Sequence, residues 1–210
     1  MAASHHQNIR VESGVAYGVI GADLHVWGDG VLLYLLENWS DALRADPGWL
    51  SELQGRLLNV RDEVAGFTGR AAELSQLHQW RCSGARLAVR WLYGPARTGK
   101  TRLGAKFATE AAADNWKVLV ATLGPGKVLP VLHSQDMGLG TAVGVLLIID
   151  NADNWTMSAL AGLLSNKLFR RPDGEKRTRI LMIGRTLDDW PGIRHELISG
   201  QPATSSQRIQ

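Results

Sequence analysis

The eight residues GPARTGKT, positions 94–101, constrain this chain more than any other stretch. They fall between RLAVRWLYG, which reads as a strand, and KTRLGAKFATEAAADN, which reads as a helix, and so match G-x-x-x-x-G-K-[ST] in the setting that the pattern requires. Gly94 and Gly99 let the backbone wrap a phosphate, so that its N–H groups and the helix N-terminus face the anion. Lys100 can reach β- and γ-phosphates, and the Thr101 hydroxyl can ligate Mg²⁺. The candidate nucleotide contacts are Gly94, Pro95, Ala96, Arg97, Thr98, Gly99, Lys100 and Thr101, with the Arg97 side chain turned to solvent.

Beyond this loop, strand and helix alternate. FTGRAAELSQLHQWRCSG (67–84) predicts a helix capped by Thr68, with Leu74, Leu77 and Trp80 on one face. WKVLVATLG is a second strand, VGVLLIID a third and ILMIGRT a fourth, with MSALAGLLSN helical between the last two. Residues 124–142 form a Gly- and Pro-rich connection, and RRPDGEKRTR a charged loop. Alternation of this kind predicts an α/β fold, a three-layer P-loop NTPase sandwich whose mainly parallel sheet is covered on both faces. Ahead of it, residues 8–30 alternate strand-formers with glycine and predict short β segments, VLLYLLENWSDAL (31–43) has helical spacing, and WLSELQGRLL suggests a second short helix. The expected division is 1–57, a small glycine-rich β and helical segment; 58–200, the phosphate-loop domain; and 201–210, a polar tail.

Asp150 closes the apolar run VGVLLIID, about 50 residues after the loop, where an acid at the C-terminal edge of a parallel sheet can hold magnesium. Thr101 and Asp150 are therefore the candidate metal residues. Asn151 follows where many nucleotide hydrolases carry a second acid, and an amide can orient a water but cannot take its proton. Asp153 can turn toward the γ-phosphate or cap the next helix. Arg185, just past ILMIGRT's apolar core, can sense the γ-phosphate or stabilise transition-state charge. The candidate catalytic set is Lys100, Asp150, Asp153 and Arg185.

Composition narrows the partners. With 45% apolar and 20% charged residues the chain can bury a sizeable core, and it has no apolar run that could span a membrane and no signal-peptide pattern. One cysteine, Cys82, excludes an intrachain disulfide and fits a cytoplasmic protein; it reads as a half-buried packing thiol. His5 and His6 read as solvated. Residues 1–66 hold 4 basic and 9 acidic side chains, net −5, against 19 basic and 11 acidic in the remainder, net +8. A basic half suits nucleic acid or a nucleotide phosphate alike. The eight tryptophans are spread through predicted elements, as core and interface residues are, and form no base-stacking platform.

Taken in order, FTGR..EL, GPARTGKT, LLIIDNAD and ILMIGRT resemble the STAND class of P-loop ATPases, signal-transduction ATPases with numerous domains, and their actinobacterial members in particular, over about residues 58–198. The resemblance implies an additional-strand sheet, with ILMIGRT between RLAVRWLYG and VGVLLIID, and places Gly69 and Arg70 near the nucleotide base. It implies a Mg²⁺-dependent switch, closed with ADP and oligomerising with ATP, that slow hydrolysis resets and a protein partner or second copy reads. The chain departs from family loops such as GPGGQGKT at Ala96 and Arg97, and from DYAD or DYAE at Asn151. The winged helix and repeat array of the family have no counterpart before the end at SGQPATSSQRIQ, as in an N-terminal part of a longer architecture or a shortened form. VAYGVIGADLHVWG vaguely resembles amyloid-type signalling segments, although a small β-hairpin packed on the core fits the five glycines of residues 8–30 better. Two rivals remain: an AAA-like ATPase acting on nucleic acid through Arg170, Arg171, Lys176, Arg177 and Arg179, which is not favoured, and a non-hydrolysing ATP-binding scaffold. The lid and acceptor pocket of a small-molecule kinase are not recognisable.

Overall fold

A computed structural model describes residues 24–26, 32–39, 69–126, 139–164, 176–188, 190–197 and 203–210. In chain order these form β1 (Leu24–Val26), β2 (Leu32–Asn38), α1 (Ala71–Cys82), β3 (Leu87–Tyr93), α2 (Lys100–Ala113), β4 (Trp116–Gly126), β5 (Gly144–Ile149), a 3₁₀ turn (Ala152–Asn154), α3 (Met157–Leu164), β6 (Arg177–Ile183), α4 (Trp190–Leu197) and β7 (Ala203–Arg208). All seven strands join one sheet in the order β1-β2-β4-β5-β6-β3-β7. From β4 to β7 every pairing is parallel, and β2 and β1 add antiparallel at one edge. The architecture is thus mixed α/β with a mostly parallel sheet, and β6 lies between β3 and β5.

Alternation along the strands builds two cores. Val89, Trp91, Leu147, Ile149, Ile180 and Met182 point to the face covered by α3 and α4, where Leu160, Leu163 and Ile193 meet them. Ala88, Leu92, Leu146, Ile148, Leu181 and Ile183 point the other way, onto Leu77 and Trp80 of α1 and Leu103 and Phe107 of α2. Every residue of β5 is buried, as expected of a central parallel strand with helices on both faces. Trp39, Trp80, Trp91, Trp116, Trp155 and Trp190 are all buried core residues, while Trp27 and Trp49 lie outside the described residues.

Several expectations are corrected. LLYLLEN is strand β2 and not a helix: an unbroken apolar run satisfies either period, and the free edge of β4 decides the matter by pairing with it. β1, one of the short β segments expected from Leu24 and Val26, pairs antiparallel with β2, a partner that the sequence reading did not foresee. Residues 203–208 are not a tail. They form β7, which is polar because its partner is Arg90 on β3, whose guanidinium donates to Ser205 Oγ and Gln207 Oε1. The first helix begins after Arg70, so Thr68 does not occupy its N-cap. Cys82 is exposed. Helix α4, unforeseen, seats Trp190 against Trp91, ring centroids 5.8 Å apart. The readings for His5, His6, residues 8–23, WLSELQGRLL, Arg170 and Arg171 fall outside the described residues.

The charged loop shrinks as well, because β6 begins at Arg177. Arg179 is fully buried and donates to the carbonyls of Trp80, Arg81, Ser83, Arg86 and Thr178. Three of these belong to the C-terminal end of α1, where backbone carbonyls lack helical partners. Arg177 donates to Cys82 O and Lys176 to Gly140 O. Three of the five cations proposed for a nucleic-acid groove are therefore used to join chain segments.

Candidate functional site

Parallel strands β3, β5 and β6 end at one edge of the sheet, their last turns in register through Leu92 with Ile183 and Ile149 with Met182. Chain that leaves β3 there forms the loop Gly94–Gly99 and enters α2 at Lys100. Gly99 stands at the helix N-cap with φ 80°, a left-handed conformation that glycine adopts without strain. It supplies no side-chain cap, and the first turn of α2 carries no acid. The helix N-terminus therefore keeps N–H groups and a positive dipole end available for an anion. Gly94 is fixed by a different constraint: a Cβ there would lie 2.1 Å from the carbonyl oxygen of Ile209. The chain just after β7 runs directly beneath the loop, with Ile209 N–H donating to Tyr93 O at 2.7 Å.

Lys100 is folded back on this loop. Its ammonium donates to Gly94 O at 2.8 Å and Pro95 O at 2.7 Å, with Thr98 Oγ1 3.4 Å away. Burial lowers its pKa, Asp150 and Asp153 oppose that shift, and Arg185 and Arg70 add to it. Both acids and both arginines proposed from the sequence are therefore close enough to act on the lysine's charge. Pro95, Ala96 and Arg97 form the exposed crest of the loop, Arg97 at φ 62°, and the Arg97 side chain faces solvent as expected.

One residue into the helix, Thr101 Oγ1 lies 3.3 Å from each carboxylate oxygen of Asp150, which follows β5 directly. A hydroxyl and a carboxylate brought together beside a Gly-rich loop and a helix N-terminus are hard oxygen donors of the kind that suit Mg²⁺. Among the described residues no group of three His, Cys, Asp or Glu could bind a metal by itself.

Asn151 has φ 49° and ψ 43°. Among residues with a Cβ, asparagine is one of the few that reach this region readily, so its identity fits the backbone of the sharp turn after β5. Asp153 neither caps α3 nor stands open to a water. Thr156 Oγ1 accepts the Ala159 N–H at the start of that helix, while Asp153 Oδ2 accepts Arg185 Nε at 2.7 Å and Oδ1 is sealed from solvent. Arg185 also donates from Nη2 to Asn154 Oδ1 at 3.2 Å. The hydrogen bond to Asp153, and then its charge, raise the arginine's pKa. Asn154 was not foreseen, and nothing in its spacing could have marked it. Gly184 makes this corner possible: a Cβ there would meet the Trp91 ring at 2.6 Å and Asp153 Oδ1 at 3.4 Å.

Arg70 sits at the helix α1 N-cap with φ 55°, after the exposed Gly69. Its guanidinium reaches Thr98 O and the main-chain oxygen of Gln210, each at 2.7 Å, and pairs with Glu73 at 2.9 Å. Arg70, which the resemblance places near a nucleotide base, thus ties the loop to the chain after β7, a link that had no signal in the sequence. No helix among the described residues is long and apolar enough to cross a membrane.

No family model matches this chain. No curated protein matches it either. Among solved structures it is similar to a chain in the structure of the E. coli MS115-1 HORMA:CdnC:Trip13 complex, at 15% identity and a TM-score of 0.36, over 83% of this chain and 66% of that one. This chain therefore spans just under two thirds of the length of the one it matches, and a superposition at that level bears on neither fold nor activity.

Proposed function

We propose that this chain is a P-loop NTPase module of the STAND type, a Mg-ATP-binding regulatory switch of slow turnover. The observation that carries the reading is the meeting of Thr101 and Asp150 at the mouth of the Gly94–Gly99 loop, beside Lys100. The placement of β6 between β3 and β5 agrees with it. In this reading the loop N–H groups and the α2 N-terminus hold the phosphates, Lys100 leaves the carbonyls of Gly94 and Pro95 for phosphate oxygens, and Thr101 and Asp150 hold the magnesium. Magnesium held by those two residues would supply neutralisation of phosphate charge. Arg185 adds a guanidinium at the same edge. Nucleotide state would then bias a conformation that a protein partner or a second copy reads.

Two features argue for slow chemistry. Asn151 has no basicity, and Asp153 has one oxygen on Arg185 and the other sealed. The same features favour, as a second reading, a scaffold that holds ATP without cleaving it. Of the cations the nucleic-acid reading would use, Lys176, Arg177 and Arg179 are engaged with main-chain carbonyls, which does not favour it.

Binding of Mg-ATP and Mg-ADP together with phosphate release decides among these, measured on the natural chain, Lys100→Ala and Asn151→Asp. Slow release abolished by Lys100→Ala supports the switch. Lys100-dependent binding with no phosphate from any variant supports the scaffold. Binding indifferent to Lys100 rejects both.

A further inference from the structure

Asp153 is the least explained group at this edge. Its side chain is 9% exposed, and Oδ1 is sealed with no hydrogen-bond partner among the described residues. A carboxylate so placed is costly to keep, and the cation it pairs with directly among the described residues is Arg185, at 2.7 Å from Oδ2. Arg185 is itself 60% exposed, and only two of its three nitrogens are engaged: Nε on Asp153 and Nη2 on Asn154. Nη1 has no partner among the described residues.

The asymmetry decides how this arginine can meet an anion. Leaving Asp153 altogether would strand a buried charge, at a cost greater than one more hydrogen bond in water-exposed surroundings returns. Staying on Nε and offering the Nη1 edge costs little, because that edge is already free. Resting on the phosphate-site reading given above, we infer that Asp153 is the positioning residue that holds Arg185 by its Nε with the Nη1 edge available to a γ-phosphate, and thereby sets the preference of this site for a nucleoside triphosphate over a diphosphate. Gly184 belongs to the same device, since any larger residue would collide with Trp91 and crowd Asp153 Oδ1. The role is one of aim and not of proton transfer.

The test is calorimetric titration of Mg-ATP and Mg-ADP into the natural chain, Asp153→Ala, Asp153→Asn, Arg185→Ala and the Asp153→Ala/Arg185→Ala pair. The ratio of ATP to ADP affinity should fall about tenfold in Asp153→Ala and in Arg185→Ala, the scale of one charge-assisted hydrogen bond, and no further in the double variant. Asp153→Asn, whose amide oxygen still accepts from Nε, should keep most of the ratio. General damage to the fold would weaken both nucleotides alike and leave the ratio where it was. If Asp153→Ala does not fold, Asp153→Leu removes the buried charge with an apolar side chain and should lose the same ratio. A ratio unchanged by either substitution, or raised because the carboxylate had been competing with phosphate for Arg185, overturns the inference while leaving the site reading intact. Nucleotide binding that ignores Lys100→Ala, or no binding at all, overturns both.

Discussion

Arg179 lies near the start of β6 and Arg185 just past its end, and the two differ in almost every physical respect. Arg179 is fully buried, hydrogen-bonded to five backbone carbonyls and 6.0 Å from the Trp116 ring centroid; burial brings its pKa down to about 10, so it stays charged at neutral pH. Arg185 is 60% exposed and is held by one carboxylate and one amide. The contrast extends to the whole sheet. At the strand N-termini, Arg81 stacks over Phe107 and Trp116 and pairs with Asp114, and Gly144 lets the Trp116 ring lie on the backbone of β5. At the C-terminal edge, Lys100, Arg185, Asp150 and Asp153 gather around an open loop. In a parallel sheet one edge can be given over to joining chain segments because ligands bind at the other.

The sharpest way to break that contrast is Arg179→Ala. It should leave several carbonyls at the end of α1 unpaired and cost about 4 kcal/mol of stability in denaturant unfolding. Lys100→Ala should do the reverse, lowering ATP affinity about 100-fold in calorimetry while the unfolding midpoint barely moves. Gly94→Ala joins the two kinds of effect: its Cβ would push into Ile209 O, costing about 2 kcal/mol of stability and weakening nucleotide binding with it. Thr101→Val should lower the Mg²⁺-dependent part of ATP affinity about tenfold, leaving affinity in EDTA unaltered. Least visible of all, Asn151→Asp should change stability by less than about 0.5 kcal/mol, since aspartate also tolerates the left-handed turn. Its phosphate release should be equal to or above that of the natural chain. Arg179→Ala that folds normally but fails to bind nucleotide would erase the distinction between the edges.

How much of this was legible depended on whether a residue's role is local. The loop GPARTGKT, Asp150 at the end of an apolar run and Arg185 past the next strand are short-range patterns, and the structure brings all of them to one edge. β2 was misread because VLLYLL has no period of its own and takes its form from β4. β7 was misread because ATSSQR carries no apolar signal; it is ordered by Arg90, 115 residues from Ser205 in sequence. Arg179 looked like a solvated charge because nothing in RTRILMI announces a helix end waiting for donors. Asp153 could be read as an acid for a γ-phosphate or as a helix cap, but its pairing with Arg185 depends on a turn whose geometry sequence patterns do not carry.

The contact between Ile209 and Gly94 has a mechanical meaning. Two paths connect the end of β7 to the Gly94–Gly99 loop: the close approach of Ile209 O to Gly94, and the Arg70 guanidinium shared between Gln210 O and Thr98 O. A displacement of the main chain at Gln210 would therefore bear on the loop at two places, Gly94 and Thr98. The path of the loop and the placement of the chain after β7 are thus set together.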